Sequence, residues 1–401
     1  MKITDVRTVL AAVGAKNCIF VLIETNEGIT GIAETVYKRK SKAMEAGIGE
    51  LKRYLIGKDP TRIEEHFEKM YRDSFFVGGP SHTTPMSAVE VALWDILGKS
   101  LDVPIYKLLG GPVRDRIPVY CHCTPGPTPQ SCAENALACV DRGYRAMKLT
   151  LPLFYGAESH VRLAEGQVDQ TFGYSGTHGT INPSHKETEL LEPDTFDRIG
   201  QFVAAARKAV GPKVQIAIDC HGRLNAVNAC QLADVLAPYN LLFIEEPVPP
   251  ENVEALREVA EHSSTPIAAG ERWSTIYDAR RFLRCRAVAV AQPDVVNCGG
   301  LSQAKKIAAI AEAEYVPLAP HNPNGPLATL AAVHLAAAIP NFLILETIGS
   351  DEDKNRQAEL VQPALTFDQG EILLPDGPGL GAQLDLEACA RYPYRPFEGW
   401  R

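Results

Sequence analysis

The sequence predicts an α/β protein, a modified (β/α)8 barrel carrying an α+β capping domain. Three observations lead there. The 401 residues exceed what one ordinary core serves. The first hundred or so read as strands followed by helices. Beyond about residue 116, short apolar runs alternate with amphipathic helical stretches, and a polar residue recurs at the run ends every 23 to 27 positions.

In the first part, "NCIFVLIETNEGITGIAET" gives two strand-like runs joined at Asn26-Glu27-Gly28, a hairpin signal in which Gly supplies positive φ. Helical patterns follow from about Ser41 to Leu109, including "SAVEVALWDILGKSLDVPIYKLLGG". Gly110-Gly111-Pro112 punctuates the chain. The capping domain is therefore expected over 1–115, completed by the poorly alternating, Pro- and Gly-containing segment 362–401.

The barrel is expected over 116–361. Its strands are "IPVYCHC", "RAMKLT", "VQIAID", "LLFIEE", "PIAAGE", "AVAVAQPD", "YVPLAP" and "NFLILE". Stretches such as "DTFDRIGQFVAAARKAV" and "AVNACQLADVLAPY" separate most of them. A strand, a helix and two short loops total roughly 25 residues. Asp219, Glu245, Glu271, Asp294, His321 and Glu346 follow one another at 26, 26, 23, 27 and 25 residues, one βα unit each. All fall at strand ends, the rim where barrel enzymes keep their chemistry. The 71 residues from Lys148 to Asp219 break the rule. The excess, an insertion at about 152–192, contains "FGYSGTHGTINPSHKETELLEP" and reads as a long loop, an active-site lid or a solvated ornament.

Composition narrows the function classes. With 45% hydrophobic and 22% charged residues and a net charge of −9, the chain offers no broad cationic surface for nucleic acid or anionic membrane. The expected partner is a small molecule. Ten scattered cysteines without a C-x-x-C pair read as buried free thiols in a reducing cytoplasm. "MKITDVRTVL" lacks the apolar core of a signal peptide. The apolar run Asn324 to Leu345 is long enough to span a bilayer, but Pro340-Asn341 splits it into a helix-like and a strand-like piece. A cytoplasmic location is expected.

Side chains on a strand alternate faces, so Asp219 and His221 project together from "IAIDCHGR" while Cys220 points away. Asp219, Glu245 and Glu271 come from successive strand ends. Each alone reads as a salt-bridged rim acid. Three together would repel unless a cation joined them, and oxygen-only ligands suit Mg²⁺. His321 ends the seventh strand and Asp294 the sixth, so the Asp can hold the imidazole tautomer and raise its basicity. His221 and His321 would face one bound molecule from different directions. Glu346, on the eighth strand, would hydrogen-bond a substrate oxygen if it carries or shares a proton. Such a set suits removal of the proton beside a carboxylate whose ene-diolate the metal stabilises.

The ordered motifs "IDCHGR", "FIEEP", "AAGER", "QPDVVNCGG", "HNPNGP" and "ILET", with "ALWDILGKSLDVPIYKLLGG" earlier, resemble the enolase superfamily, mandelate racemase subgroup, over nearly the whole chain. The resemblance implies that Asp219, Glu245 and Glu271 bind Mg²⁺, that His321 with Asp294 forms the base dyad, and that Glu346 is the electrophilic partner. It also implies a first domain that lids the barrel mouth, and a homo-oligomer. Racemases of this kind show Lys-x-Lys after the second strand, whereas this chain reads Lys148-Leu149-Thr150. Thr150 cannot take a proton at neutral pH, which disfavours two-base racemisation. Lys148 remains to neutralise a substrate carboxylate. No Lys ends the sixth strand, which argues against cycloisomerisation; Lys305 and Lys306 fall in the next helix.

"DCHGR" resembles acid-sugar dehydratases of the galactonate type and, more distantly, the mannonate type. His221 would then protonate the departing 3-hydroxyl after His321 takes the carbon-2 proton, giving a 2-keto-3-deoxy acid. Thr150, Arg223, Arg272 and Tyr155 are the substrate-contact candidates, although Tyr155 alone reads as an exposed loop aromatic and each Arg equally as a structural ion-pair partner. Phe75, Phe76, Gly78 and Gly79 form a candidate substrate-facing loop. The expected activity is Mg²⁺-dependent dehydration of an aldonate such as galactonate, gluconate or mannonate. Two alternatives stay open: a hydroxy-acid racemase or epimerase, and a non-catalytic sugar-acid-binding homologue.

Overall fold

The computed structural model describes residues 1–13, 16–37, 39–151, 190–348 and 351–396. The chain opens with β1 (Ile3–Val13), β2 (Lys16–Thr25) and β3 (Thr30–Thr35). Then come α1 (Ser41–Leu55), α2 (Ile63–Arg72), α3 (Pro80–Ser100) and α4 (Ile105–Leu108). Alternation follows: β4 (Arg116–Cys123), α5 (Pro129–Asp141), β5 (Ala146–Leu149), α6 (Pro193–Val210), β6 (Gln215–Asp219), α7 (Ala226–Leu236), β7 (Ile244–Glu245) and α8 (Val253–His262). It continues through β8 (Ile267–Ala269), α9 (Ile276–Arg284), β9 (Val290–Ala291), α10 (Leu301–Ala313), α11 (Pro326–Ala338) and β10 (Leu345–Thr347). The chain ends with α12 (Asp351–Leu360), β11 (Val361–Gln362), β12 (Phe367–Asp368), β13 (Glu371–Leu373), β14 (Gln383–Leu384) and α13 (Leu386–Arg391).

Packing divides the described residues into two compact units. The first comprises 1–118, 270–280 and 292–396. Its antiparallel sheet runs β1-β2-β3, with the β2–β3 turn made at Gly28 (φ +78°), as the Asn-Glu-Gly signal predicts. The sequence reading did not pick out β1, because its inward and outward residues do not alternate regularly. Helix α3 is buried along most of its length and so lacks the one-sided stripe of a surface helix. The C-terminal segment returns to β1, where the Ala12 N–H donates to the Tyr392 carbonyl (2.8 Å). β13 pairs antiparallel with residues 116–118 of β4.

The second unit comprises described residues of 119–269 and 281–291. Here β4, β5, β6, β7, β8 and β9 form one parallel ladder in that order. The helices between them start on side-chain caps where the sequence offers one. Thr128 and Ser131 form a capping box for α5, and Asn225 and Asn252 accept an N–H at the starts of α7 and α8. In the first unit, the expected seventh strand "YVPLAP" shrinks to a single parallel bridge, Leu318 to Phe342.

Among the described residues no helix is long and apolar enough to cross a membrane. The suspect run folds as α11, buried on every side, followed by β10. Within α11, His334 Nδ1 accepts the Tyr106 N–H (3.2 Å), and its ring stacks on Tyr106. Burial pulls this imidazole down to about 4. A histidine depressed in the folded state keeps its stabilising contribution above the ordinary imidazole value and loses it as pH falls toward about 4. The loss is on the order of 3 kcal/mol. His334→Asn, whose amide oxygen can take the same N–H, is expected to flatten the fall in urea midpoint between pH 6.5 and 4; an unchanged acid slope would refute this assignment.

Candidate active site

In the second unit, register alone brings two acids together. Asp219 ends β6, Glu245 ends β7, and the parallel ladder pairs them directly. Side chains at one level of neighbouring strands lie about 5 Å apart on one face. Both carboxylates are buried. Two buried anions at that spacing repel and need a counter-cation. Lys148 supplies it from the next strand, β5. Its Nζ lies 3.0 and 2.9 Å from the Glu245 carboxylate oxygens and 3.2 Å from Asp219 Oδ2. The Tyr120 ring, 5.6 Å away, adds its negative face. The expectation was that Lys148 serves a substrate carboxylate; in this structure two protein carboxylates hold it.

The chain turns immediately after Asp219. The Asp219 Oδ1 accepts the His221 N–H (2.9 Å), and His221 adopts φ +51°. That left-handed conformation is uncommon outside glycine, and His is one of the few residues that adopt it more readily. It folds the ring back so that His221 Nε2 lies 3.2 Å from Asp219 Oδ2. Cys220 is buried and donates its N–H to the Glu245 carbonyl, while Gly222 bonds the Glu246 carbonyl. The turn is thus stitched to the strand that carries the second acid. Arg223 follows with its N–H on the Cys220 carbonyl. Thr150 stands just beyond β5, buried, and its hydroxyl has no hydrogen-bond partner among the described residues. Tyr155 lies outside the described residues, as does most of the 152–192 insertion.

The first unit carries the other candidates. Gly270 (φ +145°) precedes Glu271, and a Cβ there would meet the Gln292 backbone at 2.8 Å, so only glycine fits. His321 Nδ1 meets Asp294 Oδ2 at 2.9 Å. His321 Nε2 meets Glu271 Oε2 at 3.0 Å, with Glu346 Oε2 at 3.9 Å. Burial works against charge on this ring, but the Glu346, Glu271 and Asp294 carboxylates outweigh it and hold His321 well above the ordinary imidazole range. Arg272 Nε reaches Glu271 Oε1 at 3.3 Å.

Two asparagines of "HNPNGP" escaped the sequence reading. The Asn324 amide donates to Asp294 Oδ2 (3.0 Å), the same oxygen that His321 uses. The Asn322 N–H donates to Glu346 Oε2 (3.0 Å), and its amide to the Glu346 carbonyl (3.1 Å). Asp294 Oδ1 accepts the Val296 N–H (3.0 Å). The Asp and the Glu thus each have a fixed orientation. The quoted motif was the available signal, but nothing in an isolated Asn says whether it faces solvent or a carboxylate.

Among the described residues, no three His, Cys, Asp or Glu side chains converge tightly enough to bind a metal as they stand. Asp219 and Glu245 converge on Lys148, and Glu271 turns to His321. The donor chemistry nevertheless fits a hard cation. Asp219 and Glu245 offer only oxygen, lie in direct register, and already bracket one positive charge.

Comparison with known proteins gives the family. Residues 131–388 match the family described as enolase C-terminal domain-like, and residues 2–110 match the mandelate racemase / muconate lactonizing enzyme N-terminal domain. The chain is 36% identical over 388 residues to a D-galactonate dehydratase of Ralstonia pickettii, spanning 96% of this chain and 92% of that protein. It is 33% identical over 396 residues to a D-xylonate dehydratase of Haloferax volcanii, spanning 96% and 88%. A crystal structure of a mandelate racemase/muconate lactonizing enzyme-like protein from Rubrobacter xylanophilus superposes with a TM-score of 0.84 at 33% identity, covering 98% of each chain. With both family models matched in order and the (β/α)8 barrel and capping-domain fold shared, the chain belongs to the enolase superfamily.

Proposed function

We propose that this protein is a Mg²⁺-dependent dehydratase of a sugar acid, an aldonate of the galactonate, gluconate or xylonate kind, yielding a 2-keto-3-deoxy acid. The observation that carries the reading is the His321–Asp294 pair, an imidazole whose Nδ1 is fixed by a carboxylate at 2.9 Å. Fixing Nδ1 as the donor leaves Nε2 as the proton acceptor. The names of the relatives support the substrate class.

Asp219, Glu245 and Glu271 would hold the ion. When bound, Mg²⁺ would supply charge to stabilise an ene-diolate. The remaining roles belong to the chain's own groups. As a neutral ring, with its Nδ1–H held by Asp294, His321 takes the proton on carbon 2 of the substrate at Nε2; the proton that Nε2 shares with Glu271 Oε2 is first given up to solvent. His221, partnered by Asp219, delivers a proton to the departing 3-hydroxyl, which leaves poorly as hydroxide. Glu346, carrying or sharing a proton, would donate to a substrate carboxylate oxygen. Its link to the Asn322 N–H orients the carboxyl for that contact. Thr150, whose buried hydroxyl has no hydrogen-bond partner among the described residues, offers a hydrogen bond to a sugar hydroxyl but no second base. Arg223 and Arg272 are the other substrate contacts of this reading.

A panel of aldonic and aldaric acids with Mg²⁺, followed by 2-keto acid formation, tests the activity. His321→Asn is expected to abolish both product and carbon-2 proton exchange, whereas His221→Asn loses product but keeps some exchange. Equal retention of product in both variants would overturn the assignment. For the ion, Lys148→Met in EDTA is expected to cost about 3 kcal/mol by leaving two buried carboxylates without their ammonium. Added Mg²⁺ is then expected to recover more stability in the variant than it gives the wild type. A urea midpoint indifferent to Mg²⁺ in both proteins would remove Asp219 and Glu245 from metal binding.

A further inference from the structure

Two buried carboxylates outside the proposed chemistry end on the segments that hold the His321–Asp294 pair. Along α3, Thr84, Ser87 and Glu90 recur every three residues, which lines them up on one helix face. Each is tied to the stretch after Asp294. The Thr84 hydroxyl donates to Asn297 Oδ1 (2.8 Å), and Ser87 Oγ accepts the Gly299 N–H (2.8 Å). Glu90 accepts the Leu301 N–H (2.8 Å), the Ser302 N–H (2.9 Å), the Ser302 hydroxyl and the Trp94 indole N–H (2.8 Å). On β3, Glu34 does the same for the stretch after His321. Its oxygens accept the Gly325 N–H (2.7 Å) and the Leu327 N–H (3.0 Å). The neighbouring Thr35 hydroxyl donates to the Val296 carbonyl (3.2 Å).

The parallel is close. Helix α10 starts after Gly300 and α11 after Gly325, and neither N-cap residue supplies a side-chain cap of its own. A distant carboxylate takes that place in both. A Cβ at Gly300 would stand 2.0 Å from Glu90 Oε2, and one at Gly325 would stand 2.2 Å from Glu34 Oε1. Glycine is what lets each carboxylate reach the backbone. Between these anchors and the pair, short bonds remove the remaining slack: Asp294 to Val296, and Asn324 to Asp294.

We propose that Glu34 and Glu90 are positioning residues for His321 and Asp294, each pinning the helix start that follows one member of the pair. Together they set the length and angle of the 2.9 Å hydrogen bond between them. The proposal rests on the reading of that pair as the proton-transferring group. A carboxylate is required because both oxygens accept N–H groups. Gln keeps the shape but aims its NH₂ at one of those donors. A merely structural cap is available for contrast. Asp95, also buried on α3, accepts the Ile32 and Leu380 N–H groups (2.8 and 2.7 Å) and pairs with Lys99, without bonding either stretch.

The test uses the full chain labelled with ¹⁵N-histidine at pH 8. The His321 signals are assigned by their loss in His321→Asn. In the wild type the Nδ1-bound proton is expected downfield, reporting its bond to Asp294. Glu34→Gln and Glu90→Gln are expected to shift or broaden that signal, whereas Asp95→Asn lowers the melting temperature and leaves it in place. Should either Gln variant fail to fold, Ser87→Ala and Thr35→Val, which each remove one tie, are expected to move the signal less but in the same direction. In turnover, the Gln variants are expected to lose about ten- to a hundredfold in kcat with little change in KM. An unmoved His321 signal in the folded variants, with a melting temperature lowered as in Asp95→Asn, would overturn the proposal. If the wild type turns over no sugar acid while the signal still moves, the dehydratase reading fails and the positioning role stands.

Discussion

Asp219 and Glu245 are set at one level of adjacent parallel strands by register, and burial denies them water. A pair of ionised carboxylates in that position must be answered by positive charge or by protons. Much of the surrounding structure follows from this requirement. Lys148 extends from β5 and is itself buried, a position an ammonium tolerates only when it is paired. The left-handed turn at His221 brings a second nitrogen to Asp219. In the other unit, His321 answers Glu271 and Asp294 together. Protein cations balance the acids in both places.

The two imidazoles illustrate how surroundings, more than residue type, assign a role. His321 has carboxylates on both ring nitrogens and a third acid nearby, so its charge is strongly supported. The Asp294 oxygen it meets also accepts the Asn324 amide. His221 Nε2 lies 3.2 Å from Asp219 Oδ2, and the residue sits on a turn outside regular structure. Thr150 adds a third environment: a buried hydroxyl with no hydrogen-bond partner among the described residues, and one that does not take up a proton at neutral pH.

The barrel was legible because its signal is periodic. Asp219, Glu245, Glu271, Asp294, His321 and Glu346 recur at the length of one βα unit, and that spacing locates strand ends even where the strands are two or three residues long. The Gly28 hairpin was legible because positive φ demands a particular residue. The hydrogen bond from His321 to Asp294 could be anticipated from neighbouring strands. What stayed hidden lacks periodicity. Asn322 and Asn324 carry no mark of the carboxylates they bind. Glu34 and Glu90 each stand in an apolar stretch, "GIAET" and "VEVAL", where an acid signals burial but not its distant partner. The engagement of Lys148 by protein acids depends on side-chain reach across strands, which spacing does not encode.

The partners of Glu34 and Glu90 lie 291 and 211 positions further along the chain. During synthesis, at 5 to 20 residues per second, these acids would leave the ribosome roughly ten seconds to a minute before the backbone groups that satisfy them. Until then the nascent β1–β3 sheet and α3 hold polar side chains meant for an interior that does not yet exist. The early part of this polypeptide is therefore an unfinished half rather than a free-standing module. Shortening the gene from its 3′ end would strand it in that condition, exposed to chaperones and proteases instead of yielding a smaller folded product.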